Sequence, residues 1–127
     1  MTTPEEKRSW FDRPLFPALP ALTGEKLLFL LILGAVIVSR LYGLGDRPMS
    51  HDEGLHVYYS WLFSEGQGFE HTPLMHGPLQ FHLIALTYHL FGDSDFTARL
   101  PHALAGIATV ILLWKGRRYL GRTGTLI

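Results

Sequence analysis

The sequence predicts an all-α integral membrane protein, with two transmembrane helices, the start of a third, and two short amphipathic juxtamembrane helices in the first external loop. Three observations predict this class. Hydrophobic residues make up 47% of the 127 residues, and charged residues only 17%. The apolar residues are concentrated in a few blocks, two of which are long enough to cross a bilayer. Basic residues gather at the two ends, whereas 41–98 holds seven acidic residues and one basic residue, Arg47.

Composition also excludes some classes of protein. The formal net charge is zero, so the chain has no basic footprint for nucleic acid. The absence of cysteine excludes disulfides and thiolate metal sites, although it does not decide the compartment. A new apolar run begins at 124–127, which predicts a third span and a longer parent protein.

Residues 1–25 are predicted to form a cytoplasmic tail, and 26–127 the N-terminal part of a polytopic transmembrane domain. The tail contains acidic residues and four prolines, which argue against a cleaved signal peptide and a long helix. The first span, about 27–44, would be roughly 27 Å long. Basic residues before it predict a cytoplasmic N-terminus. Arg40, near its outer end, is either a snorkelling arginine or a cation close to Asp52.

The stretch after this span contains the candidate catalytic residues. Ser50 and Glu53 have the spacing of a capping box, which predicts that a helix begins here. Asp52 would lie in the first turn, where the helix dipole favours an anion. Two carboxylates, Asp52 and Glu53, are the ingredients of a general base or of a divalent metal site, for which Asp52 is the candidate ligand. The alternative is a solvated helix start.

Two short helices are predicted in the external loop, 45–97. The first carries apolar residues at helical spacing between 55 and 63 and is too short to span, so we expect it to lie in the outer interface. The second begins at Pro78, ends near Phe91, and has His82 and His89 on one face.

A longer helix, about 98–120, is predicted as the second span. It has Pro101 in its first turn and ends in a basic cluster, 115–122, which should be cytoplasmic. One span must therefore separate the external loop from this cluster, and the longer helix takes that place. Of the histidines in the loop, His51, His56, His71 and His76 are candidate metal ligands, although none has the pair spacing of a zinc helix motif.

Three stretches, 47–54, 75–79 and 91–100, resemble the GT-C glycosyltransferases. The nearest group is that of protein O-mannosyltransferases and aminoarabinose transferases, in a prokaryotic branch associated with flippase activity. The resemblance covers about 26–127. It implies a multi-pass enzyme of the cytoplasmic membrane that takes a sugar from a polyprenyl-phosphate carrier and passes it to a protein, glycan or lipid acceptor on the outer side.

The resemblance also implies roles for particular residues. Asp52 matches the family's essential aspartate of the first external loop, which acts as base or metal ligand depending on the member. Glu53 matches the acid that follows it. Arg99, Arg40 and His76 would contact the donor phosphate, although Gly77 stands where many members have proline. The family's second acidic site would lie beyond 127, so we expect 1–127 alone to be inactive.

Two hypotheses from other classes compete with the transferase. One is a non-catalytic membrane subunit that assists the flipping or assembly of lipid-linked sugars. The other is a histidine-rich protein that handles metal ions or protons. The second acidic loop separates the transferase from the non-catalytic subunit, because an enzyme needs that loop. A metal-binding titration of 45–97 tests the hypothesis of a metal or proton handling protein.

Overall fold

The computed structural model describes residues 13–16, 19–68 and 77–126. This part of the chain is mostly helical, with two short strands followed by four helices. The strands are β1 (Pro14–Phe16) and β2 (Leu19–Thr23), and the helices are α1 (Gly24–Leu41), α2 (His51–Ser64), α3 (Pro78–Phe91) and α4 (Asp95–Leu126). The chain divides into two compact units, Met1–Ile37 with Val110–Ile127, and Val38–Thr109.

The strands correct the prediction of an all-α chain. β1 and β2 pair antiparallel, with Pro14 opposite Thr23 and Phe16 opposite Leu19. The prolines predict correctly that no helix forms here, and their fixed φ also suits the edge of an extended pair.

Among the described residues, one helix is long and apolar enough to cross a membrane by length and composition, and it is Asp95–Gly121 of α4. α1 has 18 residues, begins and ends three residues before the predicted span, and includes Glu25, Lys26 and Arg40. Of the two predicted spans and the start of a third, the second therefore has a candidate helix among the described residues, and the other two are not shown. None of the residues of α1 is buried, although most are apolar. A helix that is apolar all round needs an apolar environment to cover it.

The core of the unit Val38–Thr109 is formed where α2 packs on α3. Phe81, Ile84 and Tyr88 lie on one face of α3 and are 0%, 1% and 6% exposed. Ala98 of α4 joins Ile84 and Tyr88, and Met49 packs against them. The other face of α3 exposes four leucines, Leu79, Leu83, Leu86 and Leu90. The predicted bounds of α3, Pro78 and Phe91, are both confirmed.

α4 begins three residues before the predicted start because Ser94 caps it. The Ser94 hydroxyl accepts a hydrogen bond from the Thr97 backbone N–H (3.1 Å), and the Thr97 hydroxyl accepts one from the Ser94 N–H (3.0 Å). Pro101 consequently lies inside the helix and not in its first turn. Gly121 has a φ of 71°, so the helix is broken there.

Candidate active site

α2 begins with the predicted capping box, which the structure confirms. The Ser50 hydroxyl accepts a hydrogen bond from the Glu53 N–H (3.3 Å), and the Glu53 carboxylate accepts one from the Ser50 N–H (3.4 Å). These two bonds satisfy backbone donors that the first turn leaves without partners. The first turn of α2, including Asp52, is therefore fixed by its own side chains.

Asp52 occupies the second position of this turn and is exposed. Its backbone carbonyl oxygen lies 2.7 Å from Nδ1 of His56, one turn later. Within the described part of the chain, the carboxylate of Asp52 has no ion pair and no hydrogen bond to another side chain. It lies at the positive end of the helix dipole, where an anion is stabilised. A ligand can therefore reach a carboxylate whose backbone is held in place.

Glu53, one residue later, makes a different set of contacts. Nε of Arg99 donates to its Oε1 (2.5 Å), and Nη2 of Arg99 donates to its Oε2 (3.2 Å). This two-point contact is the fork geometry in which arginine recognises a carboxylate. The hydrogen bond from Arg99, with a smaller contribution from the Ser50 backbone, lowers the pKa of Glu53 below its ordinary value.

Arg99 is 6% exposed and also holds the loop between α1 and α2. Nη1 donates to the carbonyl oxygen of Leu44 (2.8 Å), and Nη2 donates to that of Arg47 (2.9 Å). Loop carbonyls that are removed from water need such donors. A single guanidinium therefore ties together α4, the first turn of α2 and the loop before it.

The start of α4 is fixed to α3 by a hydrogen bond that Pro101 makes available. Proline has no N–H, so the carbonyl of Thr97, four residues earlier, has no helical donor. The hydroxyl of Thr87, on α3, donates to that carbonyl oxygen (2.9 Å) and also to the carbonyl of Ile84 (2.8 Å). This contact holds the turn of α4 from which Arg99 extends.

Arg40 extends along α4 at Gly106. A Cβ atom added at Gly106 would come within 3.2 Å of Nε of Arg40, so the absence of a side chain there makes room for the arginine. Among the described residues, Arg40 has no carboxylate partner within ion-pair distance. The prediction that Arg40 contacts the donor phosphate stays a prediction.

The histidines do not form a cluster in the described part of the chain. His56 stacks on Phe81 with ring centroids 5.0 Å apart, and Nδ1 of His82 lies 2.7 Å from the Pro78 carbonyl oxygen. His71 and His76 lie outside the described residues. Within those residues, no three His, Asp or Glu side chains group closely enough to hold a metal ion. The prediction that Asp52 binds a divalent metal stays a prediction.

The structure brings together Glu53 and Arg99, whereas the sequence predicts that Arg99 contacts the donor phosphate. One signal pointed to this pair. The segment 41–98 has seven acidic residues and a single basic residue, so most of its carboxylates can pair only with a cation from outside the segment. The sequence could not tell which of two adjacent carboxylates is turned inward, because that depends on how α2 is rotated against α3.

The comparison with protein families gives one match. Residues 75–127 match the family model described as dolichyl-phosphate-mannose-protein mannosyltransferase. The matched segment contains α3, α4 and Arg99, but not Asp52 or Glu53. No match was found among curated proteins or among solved structures.

The match covers less than half of the chain, and it shows that this segment is similar to a mannosyltransferase family of the GT-C type. The described residues are mostly helical, and by length and composition the helix Asp95–Gly121 could cross a membrane.

Proposed function

We propose that the chain is the N-terminal part of a glycosyltransferase that moves a sugar from a polyprenyl-phosphate donor to a protein, glycan or lipid acceptor outside the cytoplasmic membrane. The observation that carries the proposal is the exposed carboxylate of Asp52. It is held at the start of α2 by a capping box and lies on a chain whose residues 75–127 match a mannosyltransferase family. Such a carboxylate suits a general base.

The proposed topology has α1 and α4 as spans, with 1–25 and 115–124 in the cytoplasm and 45–97 outside. In the unit formed by the first and last segments, Phe29 of α1 stacks on Trp114 of α4 with centroids 4.2 Å apart. Glu25 forms an ion pair with Arg117 (3.5 Å). These contacts support placing the start of α1 and the end of α4 on the same side of the membrane, where the basic residues favour the cytoplasm.

The proposed chemistry is a displacement at the anomeric carbon of the donor sugar. Asp52 accepts the proton of the acceptor hydroxyl, while the oxygen of that hydroxyl forms a bond to the anomeric carbon. The bond from the carbon to the phosphate oxygen breaks, and polyprenyl phosphate leaves. Cationic groups stabilise the departing phosphate, and the residues proposed to contact that phosphate are Arg40 and His76.

Arg99 is proposed to act mainly by positioning. In this conformation it is buried, and its donors are used by Glu53, Leu44 and Arg47. Its contact with donor phosphate stays a prediction that requires those bonds to rearrange. Glu53, predicted as catalytic, is proposed to hold Arg99 and the capping box while Asp52 performs the proton transfer.

The replacement Asp52→Asn tests the proposal in the full-length protein. It keeps the size of the side chain and removes the base, so turnover of a polyprenyl-phosphate sugar should fall by about 10²–10⁴-fold. Asp46→Asn, which also removes an exposed carboxylate from the same unit, is the matched control and should retain turnover. Near wild-type turnover in Asp52→Asn, with correct membrane insertion, would remove the assignment of Asp52 as the base. No turnover by the unsubstituted full-length protein would favour the non-catalytic flipping or assembly subunit instead.

A further inference from the structure

A cleft lies on the flank of α2 that faces away from Asp52. Its volume is about 360 Å³, and it is lined by residues of α2, by Tyr88 of α3, and by the turn between α3 and α4. Sites for small molecules typically have volumes of about 300–1,000 Å³, so this cleft suits a ligand the size of one sugar ring. At 3.6 residues per turn, Trp61 lies about 180° from Asp52 around the helix. The cleft is therefore separate from the proposed base.

The lining combines aromatic faces with carboxylates. Tyr58 and Trp61 belong to α2 and are 54% and 37% exposed. Asp93 and Asp95, from the turn, are exposed, and within the described residues neither forms an ion pair with a basic side chain. The turn is held by the hydrogen bonds between Ser94 and Thr97, so these carboxylates flank the cleft on a fixed backbone.

Tyr88 lines the cleft with its hydroxyl open to water or to a ligand. The residue is only 6% exposed, and among the described residues its hydroxyl forms no hydrogen bond. Burial, reinforced by the charges of Asp93 and Asp95, raises the pKa of Tyr88 to about 12. The hydroxyl therefore stays protonated at neutral pH and can donate to a ligand.

Gly54 lines the cleft and lies inside α2. Its φ is not in the left-handed region, and a Cβ atom added there would meet nothing within 4 Å. Neither backbone conformation nor packing requires glycine at this position. Glycine inside a helix is less stable than alanine by roughly 1 kcal/mol, so the fold keeps a helix-weakening residue where a side chain would narrow the cleft.

We propose that this cleft is a carbohydrate subsite that binds one pyranose ring, apart from the site of Asp52. The apolar C–H face of the ring packs on Trp61 and Tyr58, whose ring faces carry partial negative charge. Hydroxyls of the sugar donate to Asp93 and Asp95, and the Tyr88 hydroxyl donates to a sugar oxygen. The choice of a sugar as occupant rests on the proposed function. The ring belongs to a unit of a glycan acceptor, because the donor's sugar must lie where its anomeric carbon meets the acceptor hydroxyl at Asp52.

Binding is measured with the Asp52→Asn chain in nanodiscs, so that transfer is not required and failure of the proposed function does not affect the result. The probes are methyl mannopyranoside, a mannose disaccharide, a polyprenyl-phosphate mannose, and choline. We expect saturable sugar binding that perturbs Trp61, observed by saturation-transfer NMR and tryptophan fluorescence. Stronger binding of the disaccharide than of the monosaccharide supports a glycan acceptor. Preferential binding of the polyprenyl sugar in the cleft would indicate the donor and contradict the separation of the cleft from Asp52.

Three variants test the residues of the cleft. Trp61→Ala and the pair Asp93→Asn with Asp95→Asn should each weaken sugar binding about tenfold or more. Their matched controls are Tyr42→Ala, at an aromatic residue that is 87% exposed, and Asp46→Asn. Gly54→Leu provides a test that does not remove a contact, since its side chain enters open space and should block the cleft while α2 stays folded.

Two further results would overturn the proposal. One is the absence of saturable sugar binding, or sugar binding that Gly54→Leu leaves unchanged. The other is choline binding that Gly54→Leu abolishes and that the sugars do not compete with, because it would show that the carboxylates and aromatic rings of the cleft hold a cation. Helical circular dichroism checks that each variant is folded. If Trp61→Ala unfolds, the Gly54→Leu comparison alone decides between blocked and unchanged binding.

Discussion

Removal of the Glu53 charge tests how the ion pair with Arg99 contributes to stability. Hydrogen bonds to charged groups contribute about 1.5–3 kcal/mol. The Glu53 side chain is 32% exposed, so solvent screening reduces this contribution. Glu53→Gln keeps a group that can complete the capping box but leaves Arg99 buried without its counter-charge. We expect a loss of about 1–3 kcal/mol in the free energy of unfolding.

Asp52→Asn is the matched control for stability. It removes the same charge from the neighbouring position of the same helix turn, so it loses the same kind of interaction with the helix dipole, about 0.3–1 kcal/mol. It does not lose an ion pair. The difference between the two variants therefore isolates the contact with Arg99. Equal losses in the two variants would refute the assigned role of Glu53.

The assay is equilibrium unfolding in mixed micelles, followed by helical circular dichroism. A double-mutant cycle with Arg99→Met should give a coupling energy of about 1–2 kcal/mol, because each single change already removes the pair. The sign of the pH dependence is set by the lowered pKa of Glu53. The stability that the pair contributes is fully present above the ordinary value of 4.5 and is lost as pH falls through the lower, folded pKa. Glu53→Gln should abolish that part of the pH dependence.

Two further predictions concern topology and the contact between α3 and α4. Single cysteines placed at Ser64 and Ser94 should react with an impermeant reagent on intact cells, and one at Thr123 should not. Labelling at Ser64 without labelling at Ser94 would make α3 a span and contradict the proposed topology. Thr87→Val should lower the free energy of unfolding by about 1–2 kcal/mol, since it leaves the Thr97 carbonyl without a donor. Thr109→Val, which removes a hydroxyl that bonds only within its own helix, is the control and should change stability little.

The elements that the sequence predicted well are those fixed by local chemistry. Ser50 and Glu53 specify the start of α2 through bonds between residues three apart, and Pro78 and Gly92 bound α3 in the same local way. The start of α4 was missed because Ser94 and Thr97 form a cap without the acidic residue of the usual motif. The strands were missed because pairing between Pro14 and Thr23 depends on a contact between residues that are not adjacent in sequence.

The site was predicted less completely because its contacts are distant in sequence. Glu53 and Arg99 are 46 residues apart, and the bond from Arg99 to Leu44 joins residues 55 apart. Charge pattern alone can say that a buried arginine needs a carboxylate, but several carboxylates were available. The packing of α2 on α3 selects one of them. The cleft beside Tyr88 could not be predicted for the same reason, because its lining comes from three separate segments.

The two adjacent carboxylates therefore have different surroundings for a geometric reason. Residues one apart on a helix differ by about 100° around its axis, so a turn that directs one side chain toward the core directs its neighbour toward solvent. The capping box requires the acid at the third helical position, which is Glu53, and that position is also the one that meets Arg99. Asp52 is left at the second position with a fixed backbone and an unpartnered carboxylate among the described residues. The same contacts that stabilise Glu53 thus hold Asp52 in place without using its charge, which suits the general base that we propose for Asp52.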